Sequence, residues 1–517
     1  NTGDYNVAVG YQAGDALTTA STNVAIGYEA LSTEQQGSST VAIGQEAGFH
    51  QNKGSTGATF NTIIGHTAGN FNVTGTSNTW IGAYAGYGAS GRSHSNNVGV
   101  GTYAGRYATG SYNTFVGDQA GEGNNSAPFS SGGNNVAIGY QALTAFTTGA
   151  TNVAVGNYSL DAISTGYSNI GIGYYAGSAL TTAYRNTIIG ENAGDTMTGT
   201  SNTVLIGWMA GAAINSTDAN GAVAIGYNAS TALTDGLGNT SIGYEALSAE
   251  TDGNYSTAVG YHALKVQNDR SDDCHNTAVG YQAGVALTTA YGSTLIGSNA
   301  GAAITTAGGN TLVGASAGRS LTTATGPNNQ HNTILGYNAG AALSSYDNII
   351  IGSYAGDALT TAPGNVIIGR QALGAATTHN NAVVIGYEAM GDCPSGVAVV
   401  GSVAIGSSTL KNISSTNANY SIGIGHQAAL RLTDGVGNIA IGGFALDHET
   451  QGDFNTAIGY QALTAQVGVN GTVGNTAVGY QVGANLTVAT GTTLMGYQAG
   501  TYATGSNNTF VGSQAGK

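Results

Sequence analysis

The chain is short of charge. Only 7% of its 517 residues are Asp, Glu, Lys or Arg, against about a quarter in an ordinary globular protein. Eleven are basic and 26 acidic, a net charge of −15. A nucleic-acid footprint needs a basic patch. Eleven Lys and Arg spread over this length build none, so nucleic acid is excluded as a partner. Proline is scarce too, 4 residues against 85 glycines, and glycine does not recur at every third position, which excludes collagen. No run of 18 apolar residues is long enough to cross a membrane as a helix, so no membrane insertion is expected of this segment. The two cysteines, Cys274 and Cys393, lie about seven repeats apart. At roughly 4.8 Å per stacked layer they are out of disulfide reach. The nine histidines are scattered, without a catalytic pairing. Both ends fall mid-pattern, as expected of a processed protein or a segment of a longer one.

What the chain has is one unit repeated. NTAVGYQAG, from Asn276 to Gly284, returns as NVAVGYQAG from Asn6, NTAIGYQAL from Asn455 and NTAVGYQVG from Asn475. Aligned on the central glycine (Gly10, Gly27, Gly44, Gly190, Gly280 and their equivalents) there are 29 copies. In 16 of the steps between them the spacing is 17, and in the rest it runs from 16 to 22. So short a fixed period means a solenoid. One residue before the glycine stands Ile or Val in 27 copies; three before it, Thr, Val or Ile in all 29; four before it, Asn in 20. β-Branched residues two apart make one face of a short strand. The aliphatic column before each glycine (Ile189, Ile206, Ile225, Ile242, Val279) is therefore expected to run as a buried ladder. The residue between (Ala278, Ile188, Leu295, Phe115, Trp80) would face the other way. Glycine fits where the backbone bends or two backbones meet closely, and the Ala three residues later fits an inner corner. A second short strand is expected at Leu287 to Thr289. The fold class is thus all-β: a parallel β-solenoid of about 29 short coils, period about 17, read as one continuous rod over 1–517. At roughly 4.8 Å per coil it would reach about 140 Å. Longer insertions near 49–60, 122–133, 264–275, 319–331 and 390–402 map to outward loops, and VAVVG at 397–401 to an irregular extra strand.

Several patterns touch on chemistry. Glu29 and Glu46 occupy the same position in consecutive coils, and stacking would bring them within about 5 Å, the separation of a retaining glycosidase. The pair occurs once, without a flanking aromatic cleft, so no catalytic residue is assigned. Asp272, Asp273 and His275, with Asp269, suggest a metal, but their spacing matches no zinc or EF-hand pattern. The GxG triplets at Gly99–Gly101, Gly171–Gly173 and Gly423–Gly425 open no helix, so no dinucleotide site and no cofactor is expected. Tyrosine after the glycine, as at Tyr227, Tyr244, Tyr261 and Tyr281, reads as ladder packing at a corner or as a carbohydrate-contact stripe. Thr pairs such as Thr181–Thr182 and Thr288–Thr289 would order water in an ice-binding solenoid, but the insertions break that array.

A single coil of this length buries little, so neighbours must supply the rest. The additional apolar column (Ile63, Ile188, Leu295, Ile350, Ile367) also needs covering, and lateral association around a threefold axis would provide it. The pattern alone equally permits a wider monomeric coil. The segments NVAIGYEAL (Asn23–Leu31) and NTAIGYQAL (Asn455–Leu463) resemble the NSVAIG-type motif in the heads of trimeric autotransporter adhesins. Arrays of NTAVGYQAG-type coils also resemble repeats in bacteriophage tail fibres. The resemblance covers essentially the whole chain, although the spacing of 17 exceeds the adhesin heads' usual period. It implies a left-handed roll, a homotrimer, an extracellular place on a virion or bacterial surface, and a host-cell surface glycan or protein receptor contacted by the insertions. On that reading the chain is the shaft of a phage tail fibre and not an enzyme. The alternatives are a bacterial surface adhesin or extracellular filament, a polysaccharide depolymerase, or an ice-binding solenoid.

Overall fold

Three-residue strands recur at each repeat because each unit carries two β-branched residues around one inward position and then a glycine that stops the strand. A computed structural model describes residues 3–268, 273–322, 331–397, 400–468 and 470–517. The protein is a parallel β-solenoid of 29 coils, in two compact units. The first, Asn1–Tyr255, holds 14 of the three-residue strands, from Val7–Val9 to Thr240–Ile242. The second, beginning at Ser256, holds 15, from Thr257–Val259 to Thr509–Val511. Pairing within each unit is parallel and in register, like on like: Thr187↔Val204, Ile188↔Leu205 and Ile189↔Ile206 in the first, Thr277↔Thr294, Ala278↔Leu295 and Val279↔Ile296 in the second. The only helical element among the described residues is the 3-10 turn Thr217–Ala219.

The glycine column behaves as its chemistry requires. Gly190 and Gly280 both sit at φ +137 to +138, a conformation closed to L side chains, and a Cβ on Gly190 would lie 2.2 Å from the Gly207 carbonyl of the next coil. Backbones meet so closely there that no other residue fits. The Ala three residues on is buried, as at Ala30, Ala193 and Ala283.

The faces of the strands are the reverse of the sequence expectation. In every coil but the first and last, the middle strand residue is the buried one: Ile188, Leu205, Ala224 and Ala278 are fully inaccessible. Ile189, Ile206, Ile225 and Val279 are only partly buried, and Ile242 is 37% exposed. A strand of three residues points one side chain in and two out, and the two β-branched columns are the outward pair. They form a ladder as expected, but on the outer face. The column of Ile63, Ile188, Leu295, Ile350 and Ile367 is covered by its own coil.

The interior conserves volume between coils. The position four after the glycine lies under the middle residue of the next strand, and where one is large the other is small. Leu160 meets Gly171, Leu410 meets Gly423, and Gly194 meets Leu205; Leu463 and Ala477 hold the same two positions. Gly99 makes room for Trp80, since a Cβ there would fall 2.2 Å from the indole. A polar version occurs where Ser230 Oγ donates to Ser241 Oγ at 2.7 Å, both buried.

The second half of the coil contains no strand at Leu287 to Thr289. Leu287 is core, and the chain bends on either side of it. The bend still bonds coil to coil, with the Thr288 amide donating to the Thr305 carbonyl at 2.8 Å.

Candidate functional site

The asparagine four before the glycine proves to be the polar spine of the coil. Along Asn135, Asn152, Asn169 and Asn186 each Oδ1 accepts the backbone N–H of the residue at the same position one coil on, at 2.9 to 3.1 Å. Each Nδ2 reaches the carbonyl 14 residues on, as from Asn169 to Ala183 at 2.8 Å. These side chains are essentially inaccessible, so each satisfies backbone groups that water cannot reach.

The outward sheet face of each unit carries exposed apolar side chains. Beside its two β-branched columns runs an aromatic one: Trp208, Tyr227 and Tyr244 stack at 4.8 and 4.9 Å, and Tyr460, Tyr480 and Tyr497 at 5.7 and 5.5 Å, all within 14° of parallel. These rings remain 37 to 50% exposed.

Buried carboxylates, unforeseen in the sequence, anchor insertions. Glu34 and Glu449 occupy the corner where other coils place Leu17, Leu180 or Leu486, and both are inaccessible. Glu449 Oε1 accepts four backbone N–H groups, from Thr450, Gln451, Gly452 and Gly468, at 2.7 to 3.1 Å. Glu34 accepts from Gln36 and Gly37 on one oxygen and from Lys53 on the other. Glu250 accepts from Thr251, Asp252 and Gly253. In the next coil the same corner holds a buried Gln: Gln51, Gln267 or Gln466. A short strand pair follows at two of these corners, Gly37–Ser38 with Gly57–Ala58 and Gly452–Asp453 with Gly471–Thr472. The signal was legible as E-x-x-G followed one coil later by Gln.

Of the residues singled out in the sequence, Glu29 and Glu46 fall in consecutive coils, where both act on Tyr28. Glu29 and Glu46 stand at the left-handed corner, φ 53 and 54, that Gln12 and Gln141 occupy elsewhere. Each engages the residue before it: Glu29 the Tyr28 hydroxyl, raising that phenol's pKa, and Glu46 the Gln45 amide at 3.4 Å. Asp272 and Asp269 lie outside the described residues. Asp273 and His275 are 3.8 Å apart and more than half exposed, and no group of three His, Cys, Asp or Glu that could hold a metal occurs among the described residues. Thr18, Thr181, Thr288 and Thr360 spend their hydroxyls on carbonyls of the following coil. Cys274 and Cys393 are buried.

Of the insertions, 49–60 is pinned by Glu34, and its Lys53 Nζ donates to the Ala58 carbonyl at 2.9 Å. The one at 122–133 is fixed by the Arg106–Glu122 ion pair and by Ser130, which donates to Phe146. Those at 264–275 and 319–331 lie partly outside the described residues. In 390–402 the expected extra strand reduces, among described residues, to one bridge, Asn380↔Val400.

The fold defines the class: a β-solenoid repeat protein with an asparagine spine. Against protein-family models the chain finds no match, and no curated protein matches it.

Proposed function

We propose that the chain is the shaft of an extracellular fibre, of the kind found in phage tails. It sets a distance, associates as a homotrimer through its outward sheet faces, and holds its insertions toward a host-surface receptor without catalysis. One observation carries this reading: aliphatic and aromatic ladders stay exposed along the sheet of each unit. Residues such as Ile138 at 40%, Ile172 at 37% and Tyr174 at 46% recur coil after coil. The outward columns of the first unit's 14 coils stack into one strip, and soluble monomers seldom leave a contiguous apolar patch larger than about 300–600 Å² to water. The covering surface is thus the outward pair of columns, not the middle column that the sequence suggested.

The test is Ile189→Lys combined with Ile206→Lys. Two cations on the outward face should dissociate the assembly while the β-type circular dichroism spectrum persists. A wild-type mass equal to one chain, or an assembly indifferent to the pair, would defeat the proposal.

A further inference from the structure

Charge is so rare in this chain that its distribution is informative. Between Asp347 and Arg431 there are five Asp, Glu, Lys or Arg residues, Asp357, Arg370, Glu388, Asp392 and Lys411. All five converge on one cleft of about 300 Å³: four line it, and Lys411 bonds to two of them, to Glu388 at 2.7 Å and Asp392 at 3.6 Å.

The cleft exists because two side chains are missing. The position five after the central glycine carries a side chain in 27 of the 29 coils; the exceptions are Gly374 and Gly391, in consecutive coils, and both line the cleft. Neither is at a positive φ, although a Cβ on Gly391 would be tight, 3.1 Å from the Glu388 carbonyl oxygen. A Cβ on Gly374 would meet only the Gln371 carbonyl at 3.4 Å and Asp357 Oδ1 at 3.6 Å, ordinary contacts. Its absence leaves space above the backbone.

We infer that this cleft binds a neutral carbohydrate. Lys411 is consumed by its two carboxylates, so Arg370 is the cation left to donate into the space, beside the Gln371 amide. Asp357 and Asp392 offer carboxylate oxygens. Sugar hydroxyls both donate and accept, and paired carboxylate acceptors and guanidinium or amide donors satisfy them together. The Tyr354 ring at the edge, 37% exposed, offers an apolar face to a sugar ring. Three carboxylates against two cations leave the cleft negative, which disfavours acidic sugars. The described residues form no three-ligand metal group, so a bare cation is not the occupant the geometry favours.

This deepens the attachment reading and rests on it only for the sugar's origin on a host surface; the cleft reaches the start of the 390–402 insertion, to which Gly391 and Asp392 belong. The experiment titrates the full chain with neutral hexose and N-acetylhexosamine oligosaccharides, with sialylated and uronic-acid oligosaccharides, and with calcium alone, by calorimetry and saturation-transfer NMR. Wild type should bind a neutral oligosaccharide. Arg370→Ala should weaken it about tenfold or more. Gly374→Leu should do the same by filling the space; Leu430 occupies the equivalent position, so the coil should keep its circular dichroism spectrum. Absence of neutral-sugar binding, tighter binding of acidic sugars, calcium binding in their place, or neutral binding unchanged in both variants would each overturn the inference. The mass of each sample separates the two readings. Sugar bound by a monomer sinks the fibre assembly alone, and a trimer that binds none sinks the cleft alone.

Discussion

Asn169→Ala removes one rung of the buried asparagine spine. In the wild type, Asn169 Oδ1 accepts from the Asn186 backbone N–H at 3.1 Å, and Nδ2 donates to the Ala183 carbonyl at 2.8 Å. The substitution leaves both backbone groups without these partners at a site 0 to 1% accessible. At roughly 1–3 kcal/mol for each orphaned group, the cost is about 4 kcal/mol. At one interruption the chain supplies a substitute. Thr203 takes the Asn position and Ala222 follows it, and there the Ala222 N–H turns to the Ala219 carbonyl of the 3-10 turn at 3.2 Å. That coil, from Gly207 to Gly226, is longer than the usual one, whereas the coil above Asn169, from Gly173 to Gly190, has no such slack. Hydrogen exchange read by mass spectrometry should show protection of the Asn186 amide falling by about a thousandfold, at 1.4 kcal/mol per tenfold. The loss should fade over neighbouring coils. Thr181→Ala, which removes one hydroxyl bond of 3.2 Å at the coil's edge, should change protection by less than about tenfold. If Asn169→Ala behaved like Thr181→Ala, the spine would not be holding the coils together.

Further outcomes follow from the same geometry. Leu463→Gly should cost about 2–5 kcal/mol as a core deletion, and Ala477→Leu should also destabilise by overpacking; the double variant should recover much of the loss in denaturant titration, because the two positions share one volume. Burial lowers the pKa of His94 and of His379 from 6.5 to about 4. Both are therefore neutral when folded, and their contribution is full above 6.5 and lost as pH falls toward 4, about 3 kcal/mol for each. His94→Leu should flatten the acid limb of a stability–pH curve. Cys393, its pKa pushed up to about 12 by burial, and Cys274 should resist a thiol reagent at neutral pH and yield two equivalents only in denaturant. Glu449→Ala, which strands four N–H groups, should cost several kcal/mol and expose the 466–474 segment to protease.

The repeat, the strand positions and the glycine column were legible because they depend on local sterics and on a period that needs no partner. The choice of face was not read correctly. Near-invariant Ile and Val suggested the inside, yet a three-residue strand gives two outward positions for one inward. The correcting signals were present: Thr fills the position three before the glycine in about half the coils, and no Thr stands at the middle position. The exchange of volume between Leu160 and Gly171, or Leu463 and Ala477, also marked the inner columns. The asparagine spine was harder, since Asn169 matters through an amide one coil away whose position only stacking reveals. Glu34 and Glu449 were missed because a carboxylate in a short polar segment ordinarily faces solvent, although E-x-x-G with a Gln one coil later marked both. The charged cleft was invisible in sequence, its five charges being spread from Asp357 to Lys411 and joined only by stacking.

The inward and outward assignment is tested most directly by comparing two neighbours, Leu205→Asp and Ile206→Asp, by thermal unfolding followed with circular dichroism. Leu205 is fully buried and Ile206 only partly so. An uncompensated carboxylate at Leu205 would lie inside the coil at a cost of several kcal/mol; at Ile206 it can point to solvent once any partner copy is released. The account predicts loss of the cooperative transition in Leu205→Asp and a retained β-sheet transition in Ile206→Asp. The reverse order would mean that the aliphatic ladder lies inside and that the faces have been assigned wrongly.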